Sequence, residues 1–290
     1  MSGEVVGRRG LPLPGRRAAR APGRSPCRST LLVLLLAGLG SAASRGPTAT
    51  AAPATPAELV VFEASSLRDA FGRVAQVFEK AHPGTKVVVN AAGSQELRAQ
   101  LEQGSAADVF ASADRKHMDA LESGGLVARS VVFTCNEPVV VVRAGLIGSI
   151  RTLADLPRAE RIVVGAPEVP IGAYTLQILK KAEGRFGAGF AERVEARVVS
   201  RELNVRQVLA KVVLGEADAG VVYRSDAITV RDKVRVLPIP PELNVTARYP
   251  IAALKNAPSP ELARQWIALV TSAAGAEGLR DAGFVPCPTP

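Results

Sequence analysis

The chain has 290 residues, of which 47% are hydrophobic, and this length is enough for one large or two ordinary domains with buried cores. Its formal charge of +9 is concentrated at one end, because residues 1–43 carry seven arginines and one acid, a net +6, which leaves +3 for residues 44–290. Nucleic-acid binding requires a basic stripe on the folded part of a protein, so we exclude DNA and RNA as partners.

The N-terminal segment has the layout of a secretory signal. An apolar run, TLLVLLLAGLG (30–40), follows the arginines, and the small residues SAAS (41–44) follow that run. The run is too short for an ordinary transmembrane helix, and small residues are typical of a cleavage point. We predict a signal peptide over residues 1–43, with an uncleaved signal anchor as the alternative, and a flexible Pro/Ala/Thr linker over 44–57. The mature protein is therefore expected in the periplasm or otherwise exported.

From Glu58 onward, short β-branched runs alternate with amphipathic stretches, which is the pattern of an α/β protein. Continuous valine and isoleucine runs are typical of strands covered on both faces, so we predict mainly parallel sheets flanked by helices. The predicted strands are LVVF (59–62), KVVVN (86–90), DVFAS (108–112), PVVVV (138–142), RIVVG (161–165), ARVVS (196–200), AGVVY (219–223) and VRVLPI (234–239). The predicted helices are SLRDAFGRVAQVFEKAH (66–82), QELRAQLEQG (95–104), one that starts near Ala173, NVRQVLAKVVLG (204–215) and ELARQWIALVTS (261–272).

The order of these elements allows two α/β lobes, with the chain crossing from one to the other and returning. We place the first lobe at residues 58–137 and 240–290, and the second lobe at residues 138–239.

Small residues mark four places where a predicted helix begins. They are Ser65–Ser66, Gly93–Ser94, Pro170–Gly172 and Asn204–Val205. Serine and asparagine are ordinary N-cap residues, so each junction alone predicts a helix cap. Helix N-termini in α/β proteins also converge at the carboxyl edge of the sheet, where their free N–H groups suit an anion. The residues by themselves leave both interpretations open.

The few cysteines and histidines limit the possible disulfide bonds and metal sites. Cys135 and Cys287 are the two cysteines outside the signal, and in an oxidising compartment they either form one disulfide or stay unpaired in the core. The two histidines, His82 and His117, have no Cys or His partner at ligand spacing. We therefore predict no metal ligands and no cofactor.

The strings that contain these junctions resemble the molybdate-binding proteins of ABC importers. The resemblance covers residues 58–284, and its strings are VVFEASSLRDAF, NAAGSQELRAQLEQGSAADVFASAD, VGAPEVPIGAY, NVRQVLAKVVLGEADAGVVYRSDA and RYPIAALKN. It implies a type II periplasmic binding protein, which is an α/β protein of two lobes joined by two crossover segments with a ligand cleft between the lobes.

The same resemblance implies that a molybdate or tungstate oxyanion is held by neutral donors. Matched motif by motif, these donors are the hydroxyls of Ser66, Ser94 and Tyr223 and the backbone N–H groups of Ile171 and Val205. The loop before Gly172 is one residue shorter than in some relatives, which leaves Gly172 as the alternative to Ile171. Taken alone, Tyr223 ends a buried strand and is typical of a core residue with a satisfied hydroxyl.

The function implied is transport rather than catalysis. The protein would be a monomer that delivers its anion to an ABC permease and the ATPase of that permease. One alternative is a binding protein for sulfate, phosphate or an organic anion, because the fold alone does not choose the ligand. A second is a secreted serine hydrolase that uses Ser65 or Ser66. Two observations count against the hydrolase. The sequence contains no G-x-S-x-G elbow, and the residues around His82 and His117 predict imidazoles exposed to solvent.

Overall fold

The computed structural model describes residues 57–146 and 148–288. The predicted signal peptide (1–43) and the predicted linker up to residue 56 lie outside the described residues. Ala57, which we predicted as the last linker residue, is instead the first residue of a strand, because its N–H donates to the Gly84 carbonyl (2.9 Å). No helix in the described part of the chain is long and apolar enough to cross a membrane.

Ten strands and nine α-helices make up the described residues. The strands are β1 (Ala57–Ala64), β2 (Thr85–Ala92), β3 (Val109–Ala111), β4 (Val131–Asn136), β5 (Pro138–Arg143), β6 (Ile162–Gly165), β7 (Val198–Glu202), β8 (Ala219–Tyr223), β9 (Val234–Pro238) and β10 (Ala247–Ala253). The helices are α1 (Arg68–Ala81), α2 (Ser94–Glu102), α3 (Arg115–Ser123), α4 (Pro170–Phe186), α5 (Phe190–Glu195), α6 (Val205–Val213), α7 (Arg224–Ala227), α8 (Pro260–Thr271) and α9 (Ala273–Asp281). A 3₁₀ turn, Ser65–Leu67, joins β1 to α1.

The strands form two five-stranded sheets with matching plans. The first sheet has the order β2-β1-β3-β10-β4 and the second has the order β7-β6-β8-β5-β9. In each sheet the first three strands are parallel, and the other two pairings are antiparallel. Four of the five strands in each sheet point the same way, with β10 and β5 reversed, so the prediction of mainly parallel sheets holds for strand direction although both sheets are mixed. Helices α4, α6 and α7 contact the reversed strand β5, so its valine run is buried like that of a parallel strand.

The chain crosses between the sheets twice. Glu137 is the single residue between β4 of the first sheet and β5 of the second, and the return lies between β9 and β10. We call the parts built on the two sheets the first lobe and the second lobe. The crossings support lobe boundaries at 137/138 and 239/240, which stay a prediction.

All eight predicted strands are present, and the sequence analysis missed β4 and β10. Pro250 interrupts β10, and the pairing of β10 with β4 shifts register between Tyr249 and Pro250, because proline has no N–H for the ladder. The polar residues Thr134 and Asn136 interrupt the hydrophobic pattern of β4, so the sequence did not predict this strand. Helix α4 begins at Pro170 rather than near Ala173, since proline is favoured at the first helical position.

Aromatic side chains form the centre of the first lobe. The indole of Trp266 on α8 contacts Phe71 and Phe78 of α1 edge to face, with ring centroids 5.4 Å and 5.5 Å apart. A disulfide joins Cys135 of β4 to Cys287 near the C-terminus. Of the two possibilities left open by the sequence, the structure has the bridge, which attaches the C-terminal segment to the first sheet.

Candidate functional site

One cavity lies where the parallel strands of both sheets end. Its empty space, counted together with the open solvent at its mouth, is about 200 Å³. Its walls are the segments that follow β1, β2 and β3 on one side and β6 and β7 on the other, together with the last residue of β8. The lining residues are Ala64, Ser65, Ser66, Ala92, Gly93, Ser94, Ala113, Val169, Pro170, Ile171, Asn204, Val205 and Tyr223. None of these side chains is ionisable near neutral pH. This is the carboxyl edge at which α/β proteins bind ligands.

The serines between β1 and α1 are not helix caps. Neither the turn Ser65–Leu67 nor α1 has a side-chain cap hydrogen bond. Ser66 is buried, and its Oγ lies 2.8 Å from the phenol oxygen of Tyr249 on β10. The hydroxyl of Ser66 is therefore held in the cavity wall by the tertiary structure rather than by its own helix.

Ser94 supplies a second buried hydroxyl. It is the first residue of α2, and its Oγ accepts a hydrogen bond from the Ala113 N–H at 3.0 Å. A serine hydroxyl has one proton to donate, and accepting this bond leaves that proton available. Ser94 is thus oriented as a donor towards the cavity that it lines.

The second lobe contributes helix N-termini. Ile171 is the second residue of α4, and Val205 is the first residue of α6. First-turn N–H groups have no acceptor within their helix and carry the positive end of the helix dipole. Asn204 is an ordinary N-cap, because its side chain accepts from the Gln207 N–H at 3.1 Å. Gly172 packs against the Ala166 carbonyl, which favours Ile171 over Gly172 as the cavity donor.

Tyr223, the last residue of β8, completes the wall with an unsatisfied hydroxyl. Its side chain is 1% exposed, and its oxygen has no hydrogen-bond partner among the described residues. Burial raises the pKa of this phenol well above its ordinary value, and the neighbouring Tyr249 adds to the shift. The phenol therefore keeps its proton. A buried O–H without an acceptor is costly, and an oxygen atom of a ligand would remove that cost.

Charged groups lie next to the cavity but are paired with one another. The Arg206 guanidinium contacts Asp226, with Nε 2.6 Å from Oδ1, and it also contacts Asp69 of the first lobe. Burial raises the pKa of Asp226 to about 6 although Arg206 opposes the shift. Because two carboxylates already surround Arg206, this cation is not free to neutralise a ligand.

Several polar contacts join the two lobes beside the cavity, and one of them is the bond from the Tyr174 hydroxyl to the Ala113 carbonyl at 3.4 Å. Arg206 reaches Asp69, the Gln95 amide donates to the Leu203 carbonyl at 2.7 Å, and the His117 ring lies 3.0 Å from the Glu168 carbonyl. These bonds hold the lobes together on either side of the cavity.

The environment of the histidines differs from the predicted exposure to solvent. His117 is buried rather than solvated, because α3 places its ring against the loop that precedes α4. His82 stacks on Phe78 and bonds the Phe78 carbonyl at 2.9 Å. Both imidazoles are bonded away from Ser65 and Ser66, so the geometry does not support a hydrolytic triad. Within the described ranges, no group of three or more His, Cys, Asp or Glu residues is placed to hold a metal ion.

The structure brings all five predicted donors, Ser66, Ser94, Ile171, Val205 and Tyr223, to the wall of a single cavity. Their roles as ligands stay a prediction. The sequence analysis did not single out Tyr249 or assign a role to Ser65 in anion binding. The only signal for Tyr249 was its place in the string RYPIAALKN.

Comparison with known proteins decides the family. The sequence profile described as "Bacterial extracellular solute-binding protein" matches residues 59–285, which is most of the chain. The chain belongs to the bacterial extracellular solute-binding protein family. This membership makes it a solute-binding protein rather than an enzyme.

Individual members of this family are similar over most of their length. The molybdate-binding protein ModA of Mycobacterium tuberculosis H37Rv is 42% identical over 257 residues, which cover 87% of this chain and 94% of the relative. The protein of the same name from Escherichia coli K12 is 32% identical over 69% of this chain and 78% of its own length. The solved periplasmic molybdate-binding protein of Azotobacter vinelandii superposes with a TM-score of 0.70 at 21% identity, covering 80% of this chain and all of that one. The predicted two-lobed type II periplasmic binding protein fold is confirmed.

Proposed function

We propose that this protein is an extracytoplasmic solute-binding protein that captures molybdate, and tungstate with it, for an ABC importer. The observation that carries this proposal is the cavity itself, which is small, is lined only by uncharged residues and contains the unsatisfied Tyr223 hydroxyl. The names of the relatives that are 42% and 32% identical support the identity of the anion.

Neutral donors are sufficient to hold a doubly charged anion. A buried charge is very costly unless hydrogen bonds replace its hydration shell. Hydrogen bonds to an ionised acceptor are about twice as strong as those between neutral groups, and helix N-termini add favourable dipoles. Ser66 and Ser94 would donate from the first lobe, and Ile171, Val205 and Tyr223 from the second. Because the donors come from both lobes, the bound anion would favour the state in which the lobes are in contact.

The proposal extends to the partners and the location of the protein. A monomer is exported through its signal peptide to the periplasm, and it delivers the anion to a permease that an ATPase drives. Sulfate, phosphate and organic anions are the competing ligands. Since sulfate presents the same tetrahedral pattern of acceptors, discrimination between sulfate and molybdate would depend on the size of the cavity.

A thermal-shift panel of molybdate, tungstate, sulfate, phosphate and citrate tests the proposal. A ligand at a hundred times its Kd stabilises the folded state by about 2.7 kcal/mol. For a protein of this size we expect molybdate to raise Tm by roughly 5–10 °C. Ser94→Ala should reduce that shift, because it removes a donor worth roughly 1–3 kcal/mol to a charged ligand.

Ser123→Ala is the matched control, because Ser123 is an exposed serine of the same lobe at the end of α3. It should respond to molybdate like the wild-type protein. A shift with sulfate, phosphate or citrate but with neither molybdate nor tungstate would overturn the proposal in favour of the competing ligand.

A further inference from the structure

Buried polar residues lie between the first crossing of the lobes and the cavity. Ser66, which lines the cavity, contacts the phenol oxygen of Tyr249 at 2.8 Å. Asn136, the last residue of β4, lies on the strand next to Tyr249 and is fully buried. Neither Tyr249 nor Asn136 lines the cavity.

The orientation of the Asn136 amide is determined by its neighbours. Its Oδ1 accepts the N–H of Glu137, the single residue of the first crossing, at 3.0 Å. Its Nδ2 donates to the Ser225 hydroxyl at 2.8 Å. The amide nitrogen is therefore the atom on the side of Ser225, and a nitrogen of this kind can only donate.

Tyr249 lies on the strand paired with that of Asn136 and is also buried. Burial raises the pKa of the Tyr249 phenol well above its ordinary value, and hydrogen bonds with Ser66 and Asn136 act against that shift. The phenol is therefore neutral, with one proton to donate. The Asn136 nitrogen donates to Ser225 and cannot accept the phenol proton, so the Ser66 oxygen, 2.8 Å away, is the acceptor left for the buried phenol.

The direction of this last bond decides what Ser66 presents to the cavity. If Tyr249 donates, the Ser66 oxygen accepts and its own proton is free to point towards a ligand. If Ser66 donates, its lone pairs face the cavity and repel an anion. The distance of 2.8 Å is compatible with either direction, so the polarity follows from the buried phenol proton, for which the Ser66 oxygen is the acceptor at hydrogen-bond distance.

We propose that Tyr249 is a positioning residue for anion binding, because its O–H donates to Ser66 and thereby turns the Ser66 proton towards the cavity. The inference rests on the proposed function, in which Ser66 donates to an oxyanion, and it adds a residue that does not touch the ligand.

A double-mutant cycle tests whether Tyr249 acts through Ser66. Molybdate affinity is measured by calorimetry for the wild type, Tyr249→Phe, Ser66→Ala and the double variant. We expect Tyr249→Phe to weaken binding roughly three- to tenfold in the wild-type background, the range of one net hydrogen bond. In the Ser66→Ala background the same change should have less than a twofold effect, since the hydroxyl that it orients is gone.

Tyr174→Phe provides the control for the loss of a phenol. Tyr174 also packs beside Tyr223, with ring centroids 6.5 Å apart, but its hydroxyl bonds the Ala113 carbonyl instead of Ser66. Its effect should be the same in both backgrounds. If Tyr249→Phe also changes molybdate affinity by the same factor in the wild-type and the Ser66→Ala backgrounds, Tyr249 has only a packing role and the inference is overturned.

Neutron diffraction on the wild-type protein without ligand separates this inference from the proposed function. The deuteron of the bond between Tyr249 and Ser66 should lie on the phenol oxygen. A deuteron on the Ser66 oxygen overturns the inference, whatever the protein binds. Conversely, absence of any oxyanion binding in the calorimeter contradicts the proposed function, while the neutron result still decides the polarity.

Discussion

Glu63 is a buried carboxyl group two residues before Ser65. Its side chain is 0% exposed, and neither carboxylate oxygen has a hydrogen-bond partner among the described residues. Burial raises its pKa to about 8, although Arg68 and Arg206 act in the opposite direction. The group is therefore mostly protonated at neutral pH. A neutral Glu63 places no negative charge beside a cavity that is proposed to hold an anion.

The raised pKa of Glu63 predicts how stability depends on pH. Between about pH 4.5 and pH 8 the unfolded chain releases this proton while the folded chain keeps it, so the free energy of unfolding falls as pH rises. Glu63→Gln removes the titration. Relative to the wild type, the variant should gain roughly 2–4 kcal/mol between pH 5 and pH 8.

Urea unfolding at a series of pH values measures this difference. Glu58→Gln is the control, because Glu58 is an exposed glutamate on the same strand. Wild-type and Glu63→Gln curves that stay parallel from pH 5 to pH 8 would show that Glu63 ionises normally in the folded protein.

At the scale of elements, the position of α4 depends on its closeness to β6. An added methyl group at Gly172 would lie 2.0 Å from the Ala166 carbonyl oxygen and 2.4 Å from the Gly165 carbonyl oxygen. Both atoms belong to the backbone and cannot rotate away. The first turn of α4, which holds the Ile171 N–H at the cavity, is therefore positioned by the absence of a side chain at residue 172.

Gly172→Ala should displace the N-terminus of α4, lower Tm and weaken molybdate binding. Gly184→Ala is a control in the same helix, because a methyl group there meets nothing within 4 Å. It should leave binding unchanged and stabilise the helix by roughly 0.5–1 kcal/mol. Thermal melts and calorimetry on both variants check the prediction, and equal behaviour of the two would contradict it.

At the scale of the whole molecule, the two lobes meet at Gly93. A methyl group on Gly93 would lie 2.3 Å from the Leu203 carbonyl oxygen, which belongs to the second lobe and already accepts the Gln95 amide. The backbone angles of Gly93 (φ −66°, ψ 141°) are open to any residue. The glycine is thus needed for the approach of the lobes and not for the local conformation.

Gly93→Ala should separate the lobes while each keeps its fold. We expect at least a tenfold loss of molybdate affinity, because donors from the second lobe no longer reach the anion, with a Tm without ligand close to that of the wild type. Gly72→Ala on α1 is the control, since a methyl group there has open space. Calorimetry measures the loss of molybdate affinity, and small-angle scattering in the presence of ligand measures the separation of the lobes. If Gly93→Ala gives the same scattering profile as the wild type, the prediction is wrong.

Local patterns in the sequence predicted much of this structure. Ser66, Ser94, Ile171 and Val205 were recognisable because strand-to-helix junctions are formed by neighbouring residues, and the family resemblance singled out Tyr223. Contacts between distant parts of the chain were not predictable in the same way. The hydrogen bond between Ser66 and Tyr249 joins residues 183 positions apart, and the disulfide between Cys135 and Cys287 joins residues 152 positions apart. The antiparallel orientation of β5 and β10 in their sheets also depends on pairing between segments that are distant in the sequence.

The insertion of β10 between β3 and β4 has a consequence for biosynthesis. The ribosome makes β4 well before β10, and every strand of the second sheet is made in between. The N-terminal half therefore remains unfinished until residue 253 has been added. Under the proposed export, a nascent polypeptide with this topology would reach a translocation pore before its first half had become a stable globule, which would suit threading through a membrane.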